Sequence, residues 1–394
     1  MKGKGILPAL AAALLFFAPA RAEWYVFPAE DPPRELTDTA MEVCEYTGEI
    51  TLSFLGDCTL GGESRFKSAA RGFVSTAGRE GYAYFFENLL PLLSADDISV
   101  VNLEGVLSDR QLEKTPKTFN FIGPAAFAKI LALGGVEAAG LANNHSLDYG
   151  EAGYRDTQNA LAAAGVASFG ADHLAVWTRD GVRVGFTASA FSLTESARSA
   201  LEAQVRTLRA LGCQLVVHSM HAGTEYSSKP TGQQKAVARA AAQLGVNLVV
   251  GHHPHVLHGM DVVEGVPVVY SLGNAVFGGN SAPSDMDALL LQATFAFSEG
   301  APQSVRLAFH PIQISGQKGY NDYRPVLLSG GEAQRVMERL EKTTGYPLPG
   351  YVDGAGAVTE ALACKGMGEA NLARAVGSSP QASQRMKTGA FSCE

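Results

Sequence analysis

The sequence predicts an α/β fold with much parallel strand pairing. Two observations predict it: short apolar runs alternate with helical stretches, and several of those runs stop at a residue able to bind metal or phosphate. Open α/β sheets hold their ligands beyond the carboxyl ends of the strands. If these runs are sheet neighbours, their terminal residues converge although they lie far apart in the chain.

Residues 1–22 read as a secretion signal. Lys2 and Lys4 give the positive start, residues 6–17 the apolar stretch, and Ala20-Arg21-Ala22 a small-x-small cleavage pattern. That stretch is short against the roughly 20 residues of a bilayer span, and an uncleaved anchor is the alternative. No cysteine follows it, which argues against a lipoprotein. An extracytoplasmic location is therefore expected, either secreted, periplasmic or at the cell surface. Residues 23–47, rich in Pro, Asp and Glu, read as a linker or loosely attached arm; the folded domain is expected over 48–316.

Within that domain, residues 50–57 alternate and stop at Asp57, before a Gly-rich loop and a helical stretch at 84–93. Residues 98–103 run to Glu104; a Lys/Thr loop at 113–118 and a helix near 124–133 follow. The strand ending near Ala142 meets Asn143-Asn144-His145, ahead of a helix over 152–164. A strand at 182–188 and a helix at 194–211 come next, then an apolar run from Leu215 through His218 to His221. Val237, Ala241 and Leu244 mark an amphipathic helix over 233–244. Residues 248–250 form a short buried strand; beyond it His252, His253, His255 and His258 fall on and after a turn set by Gly251 and Pro254. The run from Val266 ends at Gly273-Asn274, and residues 289–297 and 305–314 suggest a closing antiparallel pair. A helix near 332–340 lies in a C-terminal extension, 317–394, expected to be partly flexible.

Composition narrows the functional class. Of 394 residues, 46% are hydrophobic and 18% charged, ordinary for a chain with a real core. A net charge of −8 argues against nucleic acid held by bulk electrostatics. The five cysteines (Cys44, Cys58, Cys213, Cys364, Cys393) lack Cys-x-x-Cys spacing, which removes a structural zinc finger. Cys364 and Cys393 flank the tail and form a candidate disulfide; Cys58, beside Asp57, is a candidate thiolate ligand.

A mixed set of carboxylates, amides and imidazoles suits Zn, Mn or Fe better than Ca or Mg, which favour all-oxygen shells. Acids at 57 and 104 with imidazoles at 221, 253 and 255 suffice for one divalent ion and leave a second open. A carboxylate shared by two ions about 3.5–4 Å apart would activate a water and clamp a phosphoryl oxygen.

Six blocks carry a resemblance. Gly56-Asp57-x-x-Leu60-Gly61, Val101-Asn102-Leu103-Glu104, Ala142-Asn143-Asn144-His145-Ser146-Leu147-Asp148-Tyr149-Gly150, His221-x-Gly223-x-Glu225-Tyr226, Gly251-His252-His253-Pro254-His255-Val256 and Tyr270-Ser271-Leu272-Gly273-Asn274 stand in order. Together they resemble the CapA family of poly-γ-glutamate (capsule) biosynthesis proteins, related to the calcineurin-like metallophosphoesterases. The resemblance implies a four-layer αββα sandwich with its site at strand ends. Carried onto this chain it makes Asp57, Glu104 (bridging), Asn144, His221, His253 and His255 metal ligands, with His252 the alternative to His253. His145 matches the histidine that faces substrate and protonates the leaving group. Asn143, Glu225, Tyr226 and Asn274 are expected to line the substrate pocket, whereas Asp148, His218 and His258 are read as structural.

Three departures stand out. Asp57-Cys58-Thr59 lacks the histidine of the phosphoesterase Asp-x-His motif, Asn102-Leu103-Glu104 replaces Gly-Asp-x-x-Asp, and Ala222 and Ala275 stand where many members carry aromatics. Two functional expectations result. One is a metal-dependent hydrolase acting on a phosphorylated or amide substrate, or on an extracellular polymer, in capsule or envelope polymer production. The other is a non-catalytic accessory that binds a membrane polymer synthase.

Overall fold

The structure, a computed structural model, describes residues 22–66, 69–190 and 192–364. Among these residues two sheets lie face to face, with helices on both outer faces, giving the four-layer αββα sandwich. One sheet runs in the order Glu23–Pro28, His173–Arg179, Val182–Ala190, Leu215–His221, Leu248–His252, Val266–Leu272, Leu257–Val263. Its four strands from Val182–Ala190 to Val266–Leu272 are parallel. In the other, Gly48–Thr59 pairs in parallel with Ile98–Leu103, which leads through Ala138–Gly140 to Ala167–Phe169. On its opposite edge lie the antiparallel strands Asp287–Ser298 and Ala301–Gln313.

Strand alternation sorts side chains between the layers. Leu215, Val217, Leu248 and Val250 enter the core between the sheets, while Val216 and Val249 turn outward to the helices. Because both faces are covered, the parallel strands read as nearly continuous apolar runs. Each fully buried Val or Leu contributes about 1.5–3 kcal/mol. The helix Glu195–Ala210 offers Leu201, Val205 and Leu208 to that outer face, and Gly232–Leu244 offers Val237, Ala238 and Ala241. A capping box opens the second of these, with Thr231 Oγ1 accepting from Gln234 N. Across the molecule, Ile130, Leu131 and Leu161 pack with Val101 and Leu103.

Strand ends meet where the chain changes sheets. Val266–Leu272 belongs to the first sheet, but Asn274–Phe277 pairs with Gly48–Thr59 of the second. Gly273 makes the crossing, and its carbonyl accepts from Asp57 N at 3.0 Å. Only a glycine fits opposite: a Cβ at Gly56 would stand 2.0 Å from the Gly273 oxygen. The same stretch carries a register shift between Phe54 and Asp57. Ile50, Leu52 and Phe54 face the other sheet and Leu55 faces outward, so strict alternation would send Asp57 outward too. The bulge turns Asp57 inward and leaves Cys58 in the outer apolar cluster.

Several expectations need correction. The 23–47 arm is built in: Glu23–Pro28 is an antiparallel edge strand against His173–Arg179, and the Arg183 guanidinium donates to the carbonyls of Leu36 and Thr39. Its acidic composition masked an aromatic run, Trp24-Tyr25-Val26-Phe27, that suits a strand. The helix expected over 84–93 is two pieces, a 3₁₀ turn Tyr82–Phe86 and the helix Leu90–Leu93, where Pro91 lacks the donor for continuity. The Gly-rich loop contains a helix, Phe73–Glu80. Asp180-Gly181, both at positive φ, turn a hairpin that the sequence reading passed over. The 332–340 helix is present as Gly330–Glu341, with Arg335 and Arg339 paired to Asp287. The secretion-signal reading and Cys393 lie outside the described residues.

His218 is a packing residue, fully buried, with its Nε2 2.9 Å from Ser189 Oγ. Burial pulls its imidazole down to about 3 from the ordinary 6.5. A depressed value contributes stability that is present above about pH 6.5 and lost as pH falls toward 3. By pH 5 the loss should reach about 2 kcal/mol. His218→Asn, compared with wild type in chelator, should therefore flatten the fall in stability between pH 7 and 5; parallel curves would contradict this. At Gly56, alanine should cost about 1–3 kcal/mol by overpacking. Gly78→Ala, exposed in a helix with open space around it, should stabilise by about 0.5–1 kcal/mol. Equal melting temperatures for the two variants would refute the crossing argument.

Candidate metal centre

The carboxyl ends of the parallel strands deliver a buried cluster of acids and imidazoles. Asp57 and Asn102 sit side by side in register, and Asn102 Nδ2 donates to Asp57 Oδ1 at 2.7 Å. The same amide nitrogen lies 3.3 Å from His221 Nδ1, tying the two sheets together. His221 ends its strand in register with His252. The turn that follows places His253 at φ 98° and His255 at φ 57°, left-handed backbone that costs non-glycine residues about 1–3 kcal/mol each. That backbone turns both residues back at the carboxylates: the His253 backbone N donates to Asp57 Oδ2 at 3.2 Å, its ring joins Glu104 and His221, and His255 Nδ1 lies 3.2 Å from the same Asp57 oxygen.

Two groups of three here could each hold a metal ion: Asp57, Glu104 and His255, and Glu104, His221 and His253. Within each, one ligand atom per residue lies within 4.8 Å of the others. Glu104 belongs to both. It is fully buried, and neither carboxylate oxygen has a hydrogen-bond partner among the described residues. An unsatisfied buried carboxylate is costly, and a cation between the two groups is the partner this donor set fits. Of the two alternatives, His253 joins a group; His252 Nδ1 stands 3.6 Å from Asp57 Oδ1.

Charge in this pocket is unbalanced. Burial pushes Glu104 up to about 8, with the neighbouring Asp57 charge adding to the rise. Asp57 is held well below the usual carboxylate range: burial opposes its charge, but the His255 hydrogen bond and the surrounding imidazoles outweigh it. His255 is driven up to about 10 against burial, chiefly by Glu104 and Asp57. Burial keeps His221, His252 and His253 down and hence neutral, the form that ligates metal. Asp57 thus holds its charge against His255 while Glu104 is pushed toward its protonated form, and a divalent ion would let both acids ionise.

The remaining expected residues divide between the site and its supports. Asn144 Oδ1 accepts from His221 Nε2 at 2.8 Å, so this amide is in the cluster. His145, Glu225, Tyr226 and His255 line an adjoining cleft of about 910 Å³. Asn143, expected at the substrate pocket, is instead saturated internally. Its Nδ2 donates to Asn102 Oδ1 and the Leu103 carbonyl, and its Oδ1 accepts from His145 N and Ser146 Oγ. Asn274 is likewise a support: its Oδ1 accepts from His255 Nδ1 at 2.9 Å and its Nδ2 donates to the His255 carbonyl. Amides in strand-end turns look the same in sequence whichever way they point. Cys58 drops out as a ligand, since burial among apolar side chains pushes its thiol up to about 12.

Sequence reasoning missed Asn102 as the amide that links Asp57 to His221; its place two residues before Glu104, on the same face as Ile98 and Val100, was the available signal. His258 behaves as the structural residue expected, buried, with Nε2 donating to the Ser227 carbonyl at 2.7 Å. That bond anchors the loop bearing Glu225 and Tyr226.

Comparison with known proteins agrees with this geometry. The family described as bacterial capsule synthesis protein PGA_cap matches residues 51–279. The capsule biosynthesis protein CapA of Bacillus anthracis is 31% identical over 255 residues, covering 58% of this chain and 60% of that one. The PGA biosynthesis protein CapA of Bacillus subtilis is 26% identical over 249 residues, covering 58% and 63%. A probable polyglutamine synthesis accessory protein of Mycobacterium tuberculosis is 25% identical over 260 residues, covering 56% and 67%. The chain thus spans about three-fifths of the length of the first two relatives. With its matched region running through every strand end that carries the site, this chain belongs to the bacterial capsule synthesis protein PGA_cap family.

Proposed function

We propose that this protein acts in capsule or poly-γ-glutamate production as a metal-dependent hydrolase of the metallophosphoesterase type. The carrying observation is Glu104, shared by two candidate ligand groups, with neither oxygen hydrogen-bonded among the described residues, and 4.0 Å from His145, which lines the adjoining cleft. Asp57, Glu104, Asn144, His221, His253 and His255 would hold one or two Zn, Mn or Fe ions. When bound, such ions polarise the scissile group and acidify a water. The protein's own residues do the rest. Asn102 and Asn274 fix the carboxylate and imidazole orientations. His145 Nε2, 4.0 Å from Glu104 Oε1, carries the proton for the leaving oxygen as its bond to the scissile centre breaks.

Some support for an anionic polymer comes from the cleft wall. Arg65, Arg71, Arg110 and Lys114 line it beside Glu63, Asp109 and Glu225, with Arg65 paired to Glu63 and Arg110 to Asp156, so cations only slightly outnumber acids there on a chain of net charge −8. The names of the Bacillus relatives, both capsule or PGA biosynthesis proteins, agree with that chemistry. Export fits a capsule role, and no helix among the described residues is long and apolar enough to cross a membrane.

One observation favours a second reading, a binding accessory of a membrane synthase. Thr59 occupies the place of the Asp-x-His histidine, and its buried hydroxyl has no hydrogen-bond partner among the described residues. The Mycobacterium relative is itself called an accessory protein.

Purified full-length protein should carry at least about one transition metal per chain, and Asp57→Asn should lose it. His145→Ala should keep the metal but lower hydrolysis of phosphate esters or of γ-linked polyglutamate by about 10²-fold or more. Retained metal with unchanged turnover in His145→Ala contradicts the hydrolase. Retained metal with no turnover in wild type, together with co-purification of membrane synthase subunits, supports the accessory.

A further inference from the structure

We propose that Asp148 and Lys117 form a positioning chain behind His145 that fixes which imidazole nitrogen faces the cleft. The proposal rests on the hydrolase reading for its catalytic consequence, but the chain itself is a matter of geometry. Asp148 is fully buried, three residues after His145. Its Oδ2 lies 2.7 Å from His145 Nδ1 and accepts from Phe121 N at 2.6 Å. Its Oδ1 pairs with Lys117 Nζ at 2.5 Å, and the same ammonium donates to the Asn144 carbonyl.

The carboxylate can only accept, so Nδ1 carries the hydrogen of the neutral ring; Nε2 faces the cleft, where it takes up the second proton that it then gives to the leaving oxygen, with Asp148 facing the imidazolium in between. The Phe121 ring, 4.3 Å from the imidazole centroid and tilted by 34°, covers one face and blocks ring rotation. His145 N is held separately by Asn143 Oδ1. Lys117 has a distinct task. A carboxylate buried beside one imidazole has few charged partners, and the ammonium gives its other oxygen a second, charge-assisted one. Through the Asn144 carbonyl it also ties the 113–118 loop, whose Lys114 lines the cleft, to the turn that carries His145. A bare turn-forming role for Asp148 would need none of this: it would be met by the backbone bonds, such as Thr115 N to the Asp148 carbonyl at 2.8 Å.

The test is nitrogen NMR on full-length protein labelled with ¹⁵N at histidine, with the His145 signal assigned from His145→Gln. Wild type should show His145 as the Nδ1–H form with a downfield, slowly exchanging proton. Asp148→Asn should lose that proton signature and populate the other tautomer; Lys117→Met should speed its exchange, and Lys117→Arg should restore it. In turnover, Asp148→Asn should lower kcat for alkyl phosphate esters at least about tenfold more than for 4-nitrophenyl phosphate, which needs no proton on departure, with KM within about twofold. A wild-type Nε2–H tautomer, or Asp148→Asn and Lys117→Met spectra identical to wild type, overturns the chain. Equal losses on both esters overturn its catalytic consequence. If wild type hydrolyses neither ester while the Asp148-dependent Nδ1–H signal is present, the hydrolase reading falls and the positioning chain stands.

Discussion

Everything at this site follows from two buried carboxylates that cannot both keep their charge without a cation between them. Asp57 arrives on one strand and Glu104 just past its neighbour, and both are shut away from water. In a low-dielectric pocket such a pair either takes up protons or gathers positive charge. The fold does some of each: burial pushes Glu104 up to about 8, toward its protonated form, while His255 supplies positive charge beside Asp57 and the neutral His221, His252 and His253 complete the ring. A cluster of this kind adds no stability of its own. It is maintained by the sandwich around it, whose apolar layers supply the energy that the strained His253 and His255 backbone and the desolvated acids consume.

Placement of the cluster is a consequence of topology. Parallel strands in both sheets end at the same level, and the crossing at Gly273 stitches one sheet to the other beside Asp57. The bulge before Asp57 then decides which way the first ligand points. These are backbone devices, and side-chain amides complete them: Asn102 spans Asp57 and His221, Asn143 sets the His145 turn, and Asn274 orients His255. Three asparagines therefore hold a metal-type constellation without belonging to it.

Much of this was legible in the chain. Apolar runs ending on Asp57, Glu104, His145, His221 and Asn274 announced a strand-end site, and the structure brings all five together. The helices expected over 152–164, 194–211 and 233–244 from apolar spacing and composition stand at 150–164, 195–210 and 232–244. What escaped the sequence reading depended on direction. Alternation alone puts Asp57 on the wrong face, because one extra residue in a strand leaves no compositional mark. Asn143 and Asn274 look like pocket residues until their hydrogen bonds show both amide ends engaged. Glu23–Pro28 was hidden by the acidic stretch that follows it, since an edge strand needs only six suitable residues. Lys117 lay in a loop with no periodicity to flag it, and only the fold carries it to Asp148.

Anomalous diffraction from crystals of the full-length protein grown with manganese or zinc tests the central claim most directly. The account predicts an anomalous peak in contact with the Glu104 carboxylate, flanked by His221 and His253 or by Asp57 and His255. A peak elsewhere, or a Glu104 carboxylate that stays unliganded at saturating metal, would contradict it.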